Sequence, residues 1–172
     1  MKKYKLWKVR VSGIIQESIV DGIGLRYVIF FQGCPHNCKG CQNPQTHSFS
    51  AGTFVDIHKI IKEIVNNPLL DGVTFSGGEP LCYPKQCSII AEEVKQHGKT
   101  VWMYSGYTYE EIRKNYRWSI LRNVDVLVDG KFVLEQRDLD LRFRGSRNQR
   151  IIDVQKSLCE NKVVLWSEEN GY

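Results

Sequence analysis

Long hydrophobic runs are missing from this chain of 172 residues. No uninterrupted apolar stretch approaches the roughly 20 residues that a membrane-spanning helix needs, so no contact with a membrane is expected. A secretory leader is not expected either. The lysines between Met1 and Lys8 could open one, but Lys8, Arg10 and Glu17 interrupt the stretch where its apolar region would have to lie. Internal repeats, low-complexity tracts and linker-like segments are also lacking. A composition of 42% hydrophobic and 25% charged residues then reads as one compact domain over 1–172, able to bury about 70% of its unfolded surface. A cytoplasmic location with reduced thiols is the matching expectation.

A uniformly basic face is absent as well. The net charge is +5, and much of the surplus lies between Arg137 and Arg150. There Asp138 and Asp140 interleave with Arg137, Arg142, Arg144, Arg147 and Arg150, and the mixed sign does not suit a surface that tracks phosphates. No nucleic-acid partner is expected, and a solvated or anion-binding loop is.

The third absence concerns cysteine pairs. Zinc sites usually read as two C-x2-4-C pairs or matched Cys/His pairs, but Cys82, Cys87 and Cys159 are scattered and read as ordinary thiols. Cys34, Cys38 and Cys41 stand apart from them at C-x3-C-x2-C spacing, directly after an apolar run. Soft thiolates in such a loop suit an iron-sulfur cluster. A 4Fe-4S cube takes four protein ligands when fully held, so three cysteines leave one iron open to another molecule. His36 lies inside the loop, and imidazole can replace thiolate on iron, but an exposed, non-ligating role is the simpler expectation.

From the middle onward short β-branched runs alternate with helical patterns, which indicates βαβ units and a parallel sheet. Strands are predicted over Leu25–Phe31, Gly72–Phe75, Lys99–Tyr104 and Val124–Val128, with weaker ones at Ile151–Val154 and Val163–Trp166 and an edge strand or hairpin arm within Lys5–Ile15. Helices are predicted over Val55–Val65, Pro84–Gln96 and from Thr108, which forms a capping box with Glu111, through Tyr116. A closed eight-unit barrel takes about 250 residues, so the expectation is an α/β fold forming a partial, open (β/α) barrel with a mainly parallel sheet. In such folds reactive groups gather after the C-terminal ends of strands. The cysteines, Gly77-Gly78-Glu79, Ser105-Gly106-Tyr107 and Asp129-Gly130-Lys131 all follow predicted strands.

Cys34-x3-Cys38-x2-Cys41 followed by Gly77-Gly78-Glu79-Pro80 resembles the radical S-adenosylmethionine superfamily. A narrower resemblance, to the activating proteins of anaerobic ribonucleotide reductases, rests on six ordered segments: Asp21–Arg26, Gly33–Pro44, Ser76–Leu81, Tyr104–Thr108, Val126–Phe132 and Arg144–Arg150. The resemblance implies a 4Fe-4S cluster on Cys34, Cys38 and Cys41, with S-adenosyl-L-methionine on the open iron. It further implies reductive cleavage to a 5′-deoxyadenosyl radical and removal of hydrogen from a backbone glycine of the reductase large chain. A flavodoxin or ferredoxin would be the low-potential donor. A small-molecule enzyme of the deazapurine-synthase kind is the alternative within the superfamily, and a ferredoxin-like carrier the alternative outside it.

The candidate cofactor contacts are Gly40, Gln42, Ser76, Gly77, Gly78, Glu79, Ser105, Asp129, Lys131 and Asn148. Glycines at 77 and 78 remove Cβ atoms where backbone must come close to a ligand. Glu79 either faces the methionine ammonium or braces its loop, and Asp129 and Lys131 either pair with each other or touch cofactor. The superfamily often places an aromatic before the third cysteine, where this chain has Gly40, so backbone around Gly40–Gln42 is the expected adenine contact. Tyr104, Tyr107 and Tyr109 are expected to pack rather than relay electrons.

Overall fold

A computed structural model describes residues 6–167; nothing is stated of the side chains of 116 and 117. Seven strands form one sheet: β1 (Lys8–Ser18), β2 (Arg26–Phe31), β3 (Thr53–Asp56), β4 (Gly72–Gly77), β5 (Thr100–Ser105), β6 (Val126–Asp129) and β7 (Arg150–Asp153). Their spatial order is β3-β1-β2-β4-β5-β6-β7, and the sheet is not closed. The pairs β2–β4, β4–β5 and β5–β6 are parallel, whereas β1–β2, β1–β3 and β6–β7 are antiparallel. The sheet is therefore mixed, not mainly parallel: a four-strand parallel centre carries an antiparallel flank on each side.

The period-2 alternation of strand side chains sorts the two faces. Tyr27, Ile29, Phe31, Val73, Phe75, Val101, Met103, Leu127 and Ile152 point to one face. There they meet the helices α1 (Ile57–Asn66), α2 (Pro84–Gln96), α3 (Tyr109–Lys114) and α4 (Val154–Glu160). Ile57, Ile60 and Ile64 form the buried stripe of α1, whose N-terminus is capped by Asp56 accepting from the His58 N–H at 2.8 Å. Pro84 opens α2, where its missing N–H costs nothing, and the Thr108–Glu111 capping box opens α3. No helix among the described residues is long and apolar enough to cross a membrane.

Intervening residues turn to the other face. Trp102, Val126 and Val128 form a smaller cluster there with Tyr104, Phe143, Ile151 and Trp166. At the N-terminal ends of the parallel strands Arg26 is fully buried, 0% exposed. Its guanidinium donates to Thr74 Oγ1 at 3.2 Å, Thr100 Oγ1, the Val73 carbonyl and the Thr100 carbonyl at 3.1 Å, tying β2, β4 and β5 together. Burial pulls its pKa down to about 10. Phe30, Ser76 and Tyr104, at the opposite ends of these strands, border a cleft.

Several boundaries differ from expectation for identifiable reasons. Val55 lies in β3, not in α1, because Thr53–Asp56 pairs with β1 and Asp56 is spent as the cap. Of the two readings of the first strand, the hairpin arm is found, since β1 pairs antiparallel with β2, and the edge strand is not, since β3 covers its outer side; Lys5 lies outside the described residues. α3 ends at Lys114 and is followed by a 3-10 stretch, Tyr116–Asn123. Val154 starts α4 instead of ending β7, and the expected strand at Val163–Trp166 is reduced to a single bridge, Ile152 to Leu165.

Replacing Arg26 by Ala should cost about 3 kcal/mol, because the threonine hydroxyls and backbone carbonyls that it bonds lose their buried donor. Urea unfolding at neutral pH measures it, and Arg26→Met should recover part of the packing but not the hydrogen bonds.

Candidate cofactor site

The parallel strands β2, β4, β5 and β6 bring their C-terminal ends side by side, and the loops beyond them share one cleft of about 380 Å³. That size is in the range of small-molecule sites. Cys34, Cys38 and Cys41 line it from the loop after β2, with Gln42 beside them. Ser76, Gly77 and Gly78 come from the end of β4, Ser105 and Gly106 from the end of β5, and Gly130 and Lys131 from the loop after β6.

The cysteine loop is closed at its base by backbone pairing. Gly33 N–H donates to the Thr46 carbonyl at 2.8 Å and Cys34 N–H to the His47 carbonyl at 3.1 Å. Within it, Cys41 N–H reaches the Cys38 carbonyl at 3.2 Å, and Asn43 N–H reaches Cys41 Sγ at 3.4 Å. All three thiols are free and half-buried. Burial pushes the Cys34 thiol above its ordinary value, while backbone N–H groups of His36 and Asn37 act in the opposite sense. Those N–H groups favour the thiolate, the form that binds metal.

Glu79 does not line the cleft. Its side chain is 0% exposed and braces the loops beneath. The carboxylate accepts from Leu81 N–H at 3.0 Å, from Ser105 Oγ at 3.0 and 3.1 Å and from Gly106 N–H at 2.9 Å, and His36 Nε2 stands 2.8 Å from it. His36 is thus not the exposed residue expected: its side chain is 6% exposed, and its ring meets Tyr107 edge-on at 4.5 Å. Being committed to Glu79, Nε2 faces away from any role as a fourth ligand. A Cβ at Gly106 would overlap the His36 ring, so glycine there is what admits the imidazole.

Gly77 and Gly78 are also required by the chain itself. Gly77 has φ +87°, and a Cβ on it would lie 2.6 Å from Phe30 Cα. At Gly78 a Cβ would overlap the Gly33 carbonyl oxygen. The turn lies flat on the end of β2, where Gly78 N–H donates to the Phe31 carbonyl at 2.8 Å and Glu79 N–H to the Gly33 carbonyl at 2.9 Å. The expected close approach is found, but to the cysteine loop's own backbone.

Asp129 is buried and accepts from Arg150 Nε at 3.0 Å and from Tyr109 N–H at 2.7 Å. Arg150, held in its charged form first by Asp129 and then by Glu110, is the ion partner of Asp129, so of the two readings of Asp129 and Lys131 their mutual pairing is not found. Lys131 itself faces the cleft. Asn148 lies outside the lining and donates to the Lys131 carbonyl at 2.8 Å, while Gly40 packs against Leu134. Tyr104 lines the cleft with its phenol pushed up by burial, and Tyr109 is buried in the helical core.

Gln149 and His47 are among the lining residues that were not singled out as candidate contacts in the sequence. Gln149 accepts from Gly145 and Ser146 N–H at 2.9 and 3.2 Å and donates to the Gly130 carbonyl at 3.1 Å, fastening the arginine-rich segment to the loop after β6. His47 lies across from Cys34. Neither belongs to a spacing pattern; only the fold brings them to the cleft.

The donor set fits an iron-sulfur cluster. Three soft thiols share the cleft, and among the described residues no three His, Cys, Asp or Glu side chains are placed to hold a single metal ion. His47 Nε2 is buried without a hydrogen-bond partner.

These features define the class: a family model described as a 4Fe-4S single cluster domain matches residues 20–152. The anaerobic ribonucleoside-triphosphate reductase-activating protein of Haemophilus influenzae is 39% identical over 145 residues, covering 78% of this chain and 91% of that protein. Its counterpart in Escherichia coli K12 is 34% identical over 143 residues, with 77% and 90% covered. That of bacteriophage T4 is 34% identical over 144 residues, with 78% and 87% covered. The chain belongs to the family of anaerobic ribonucleoside-triphosphate reductase-activating proteins.

Gly106→Ala should press a methyl group into His36 and displace the cysteine loop. The expected result is less than half the wild-type iron per chain after anaerobic reconstitution, and a loss of about 1–3 kcal/mol in unfolding free energy.

Proposed function

We propose that this protein activates an anaerobic ribonucleoside-triphosphate reductase by creating a radical on one of its backbone glycines. The observation that carries the reading is the set of three thiols on a cleft walled by the Gly-Gly turn, in a chain whose relatives bear that activating name. Cys34, Cys38 and Cys41 would hold a 4Fe-4S cluster, and the position without a cysteine would take S-adenosyl-L-methionine. When bound and reduced, this pair supplies a single electron to the sulfonium and yields a 5′-deoxyadenosyl radical able to take hydrogen from a glycine Cα.

The chain's own residues bind and orient. Ser76, Gly77 and Gly78 offer backbone groups on the cleft wall, and Lys131 offers a cation for the methionine carboxylate. Ser105 and Gln42 face the same space. Glu79, Asp129 and Asn148 act one layer behind, holding the lining loops in place, and Gly40 shapes the turn before the third cysteine. Among the described residues none after Gln149 lines the cleft, which supports a reading in which a loop of a large protein enters it. This supports a reading of the open sheet as a partial barrel of the radical S-adenosylmethionine type, formed by one domain. A low-potential flavodoxin or ferredoxin in the cytoplasm is the electron source this chemistry requires.

Incubated anaerobically with reductant, S-adenosyl-L-methionine and the reductase large chain, the reconstituted protein should release 5′-deoxyadenosine and generate a glycyl-radical doublet in electron paramagnetic resonance. Cys38→Ala should bind less iron and give neither product. Release of 5′-deoxyadenosine without a doublet on the reductase would point to another substrate, and no release at all would point to a passive electron carrier.

A further inference from the structure

We infer that Phe49, Phe54 and Arg10 form a docking surface, beside the cysteine loop and outside the cleft, for a small acidic protein that carries single electrons. This rests on the proposal that Cys34, Cys38 and Cys41 hold a cluster that must be reduced. In that proposal S-adenosyl-L-methionine and a loop of the reductase take up the cleft, so an electron carried by a second protein has to arrive from another side. Phe49 does not line the cleft. A Cβ on Gly33 would lie 2.5 Å from the Phe49 ring, so this ring covers the backbone directly before Cys34. It is nevertheless 56% exposed, and Phe54 is 57% exposed.

The segment that presents Phe49 is firmly fastened. Gln32, only 1% exposed, donates from Nε2 to the Gln45 carbonyl at 3.1 Å and to the Ser48 carbonyl at 2.6 Å. Arg10 donates to the Phe49 carbonyl at 2.8 Å and the Ala51 carbonyl at 3.3 Å, and its guanidinium lies 4.5 Å from the centre of the Phe54 ring. Aromatic rings held out beside an arginine have the make-up of an interface core. Charge selects the partner. Residues 22–55 contain no Asp or Glu, and the exposed Lys39 stands on the cysteine loop. The next acid, Asp56, lies opposite Lys8 in the register of β1 and β3. Among the described residues Arg10 bonds carbonyls rather than carboxylates, which leaves its charge uncancelled. Such a face steers and orients an acidic partner. The step it serves moves one electron: the carrier is oxidised by one, the cluster is reduced by one, and no bond forms or breaks.

The test uses the anaerobically reconstituted full chain, with a flavodoxin and a low-potential ferredoxin as probes. Wild type is compared with Phe49→Ser, Phe54→Ser and the conservative Phe49→Tyr. Affinity for each probe is measured by isothermal titration calorimetry at low and high salt. Release of 5′-deoxyadenosine is then measured with either the reduced carrier or dithionite, which is small and needs no docking surface. Both serine variants should bind the carrier about tenfold more weakly and release product more slowly with it, while matching wild type with dithionite. Phe49→Tyr should stay close to wild type, and salt should weaken wild-type binding. Wild-type affinity in both serine variants overturns the inference, as does a wild-type chain that binds neither carrier. Equal losses with carrier and dithionite overturn it also, because the rings would then serve only the cysteine loop. No release from wild type with dithionite overturns the reading beneath the inference and the inference with it.

Discussion

The buried carboxylate of Glu79 holds the cleft together. Removing a carboxylate from water is costly unless its oxygens are filled with donors, and here every donor comes from a segment that shapes the site. Leu81 N–H belongs to the turn that follows Glu79, Ser105 and Gly106 to the end of β5 and the loop it opens, and His36 to the cysteine loop. Charge-assisted hydrogen bonds are the strong ones. One side chain therefore ties together three loops that follow adjacent strands of the sheet.

The glycines follow from that constraint. Gly77 and Gly78 let the turn after β4 lie against the end of β2, which sets Glu79 beneath the cysteine loop, and Gly106 makes room for the His36 ring. A second brace works in the same way at the other end of the cleft. Asp129 gathers Arg150 and the start of α3, while Gln149 and Asn148 fasten the loop after β6. The lining surface of thiols, Ser76, Lys131 and backbone is thus a thin layer supported by buried polar groups. Such support keeps a site in place before its ligand arrives.

Much of this was legible where the signal is local. Pro84 and the Thr108–Glu111 pair marked helix starts, and the apolar runs at 25–31 and 99–104 marked, to within a residue, central strands whose ends carry the site. The cysteine spacing picked out a loop whose three thiols do reach one cleft, because a short loop keeps residues that are close in sequence close in space. Side-chain direction was not legible. Whether Glu79 faces a ligand or the protein depends on Ser105, Gly106 and His36, which are brought to it from 26, 27 and 43 residues away. Asp129 likewise chose Arg150, 21 residues on, over Lys131 two residues away, because β6 and β7 pair Asp129 with Arg150. β3 went unread since its four residues run directly into α1, and the helical isoleucine pattern absorbed Val55.

The central claim is that three thiols, held on a preformed cleft, leave one iron of a cube open to S-adenosyl-L-methionine. Mössbauer spectroscopy of protein reconstituted with ⁵⁷Fe tests it most directly. One iron in the cluster should be distinguishable from the rest, and it alone should change its isomer shift when S-adenosyl-L-methionine is added. Irons that are all equivalent and unmoved by the addition would contradict the account.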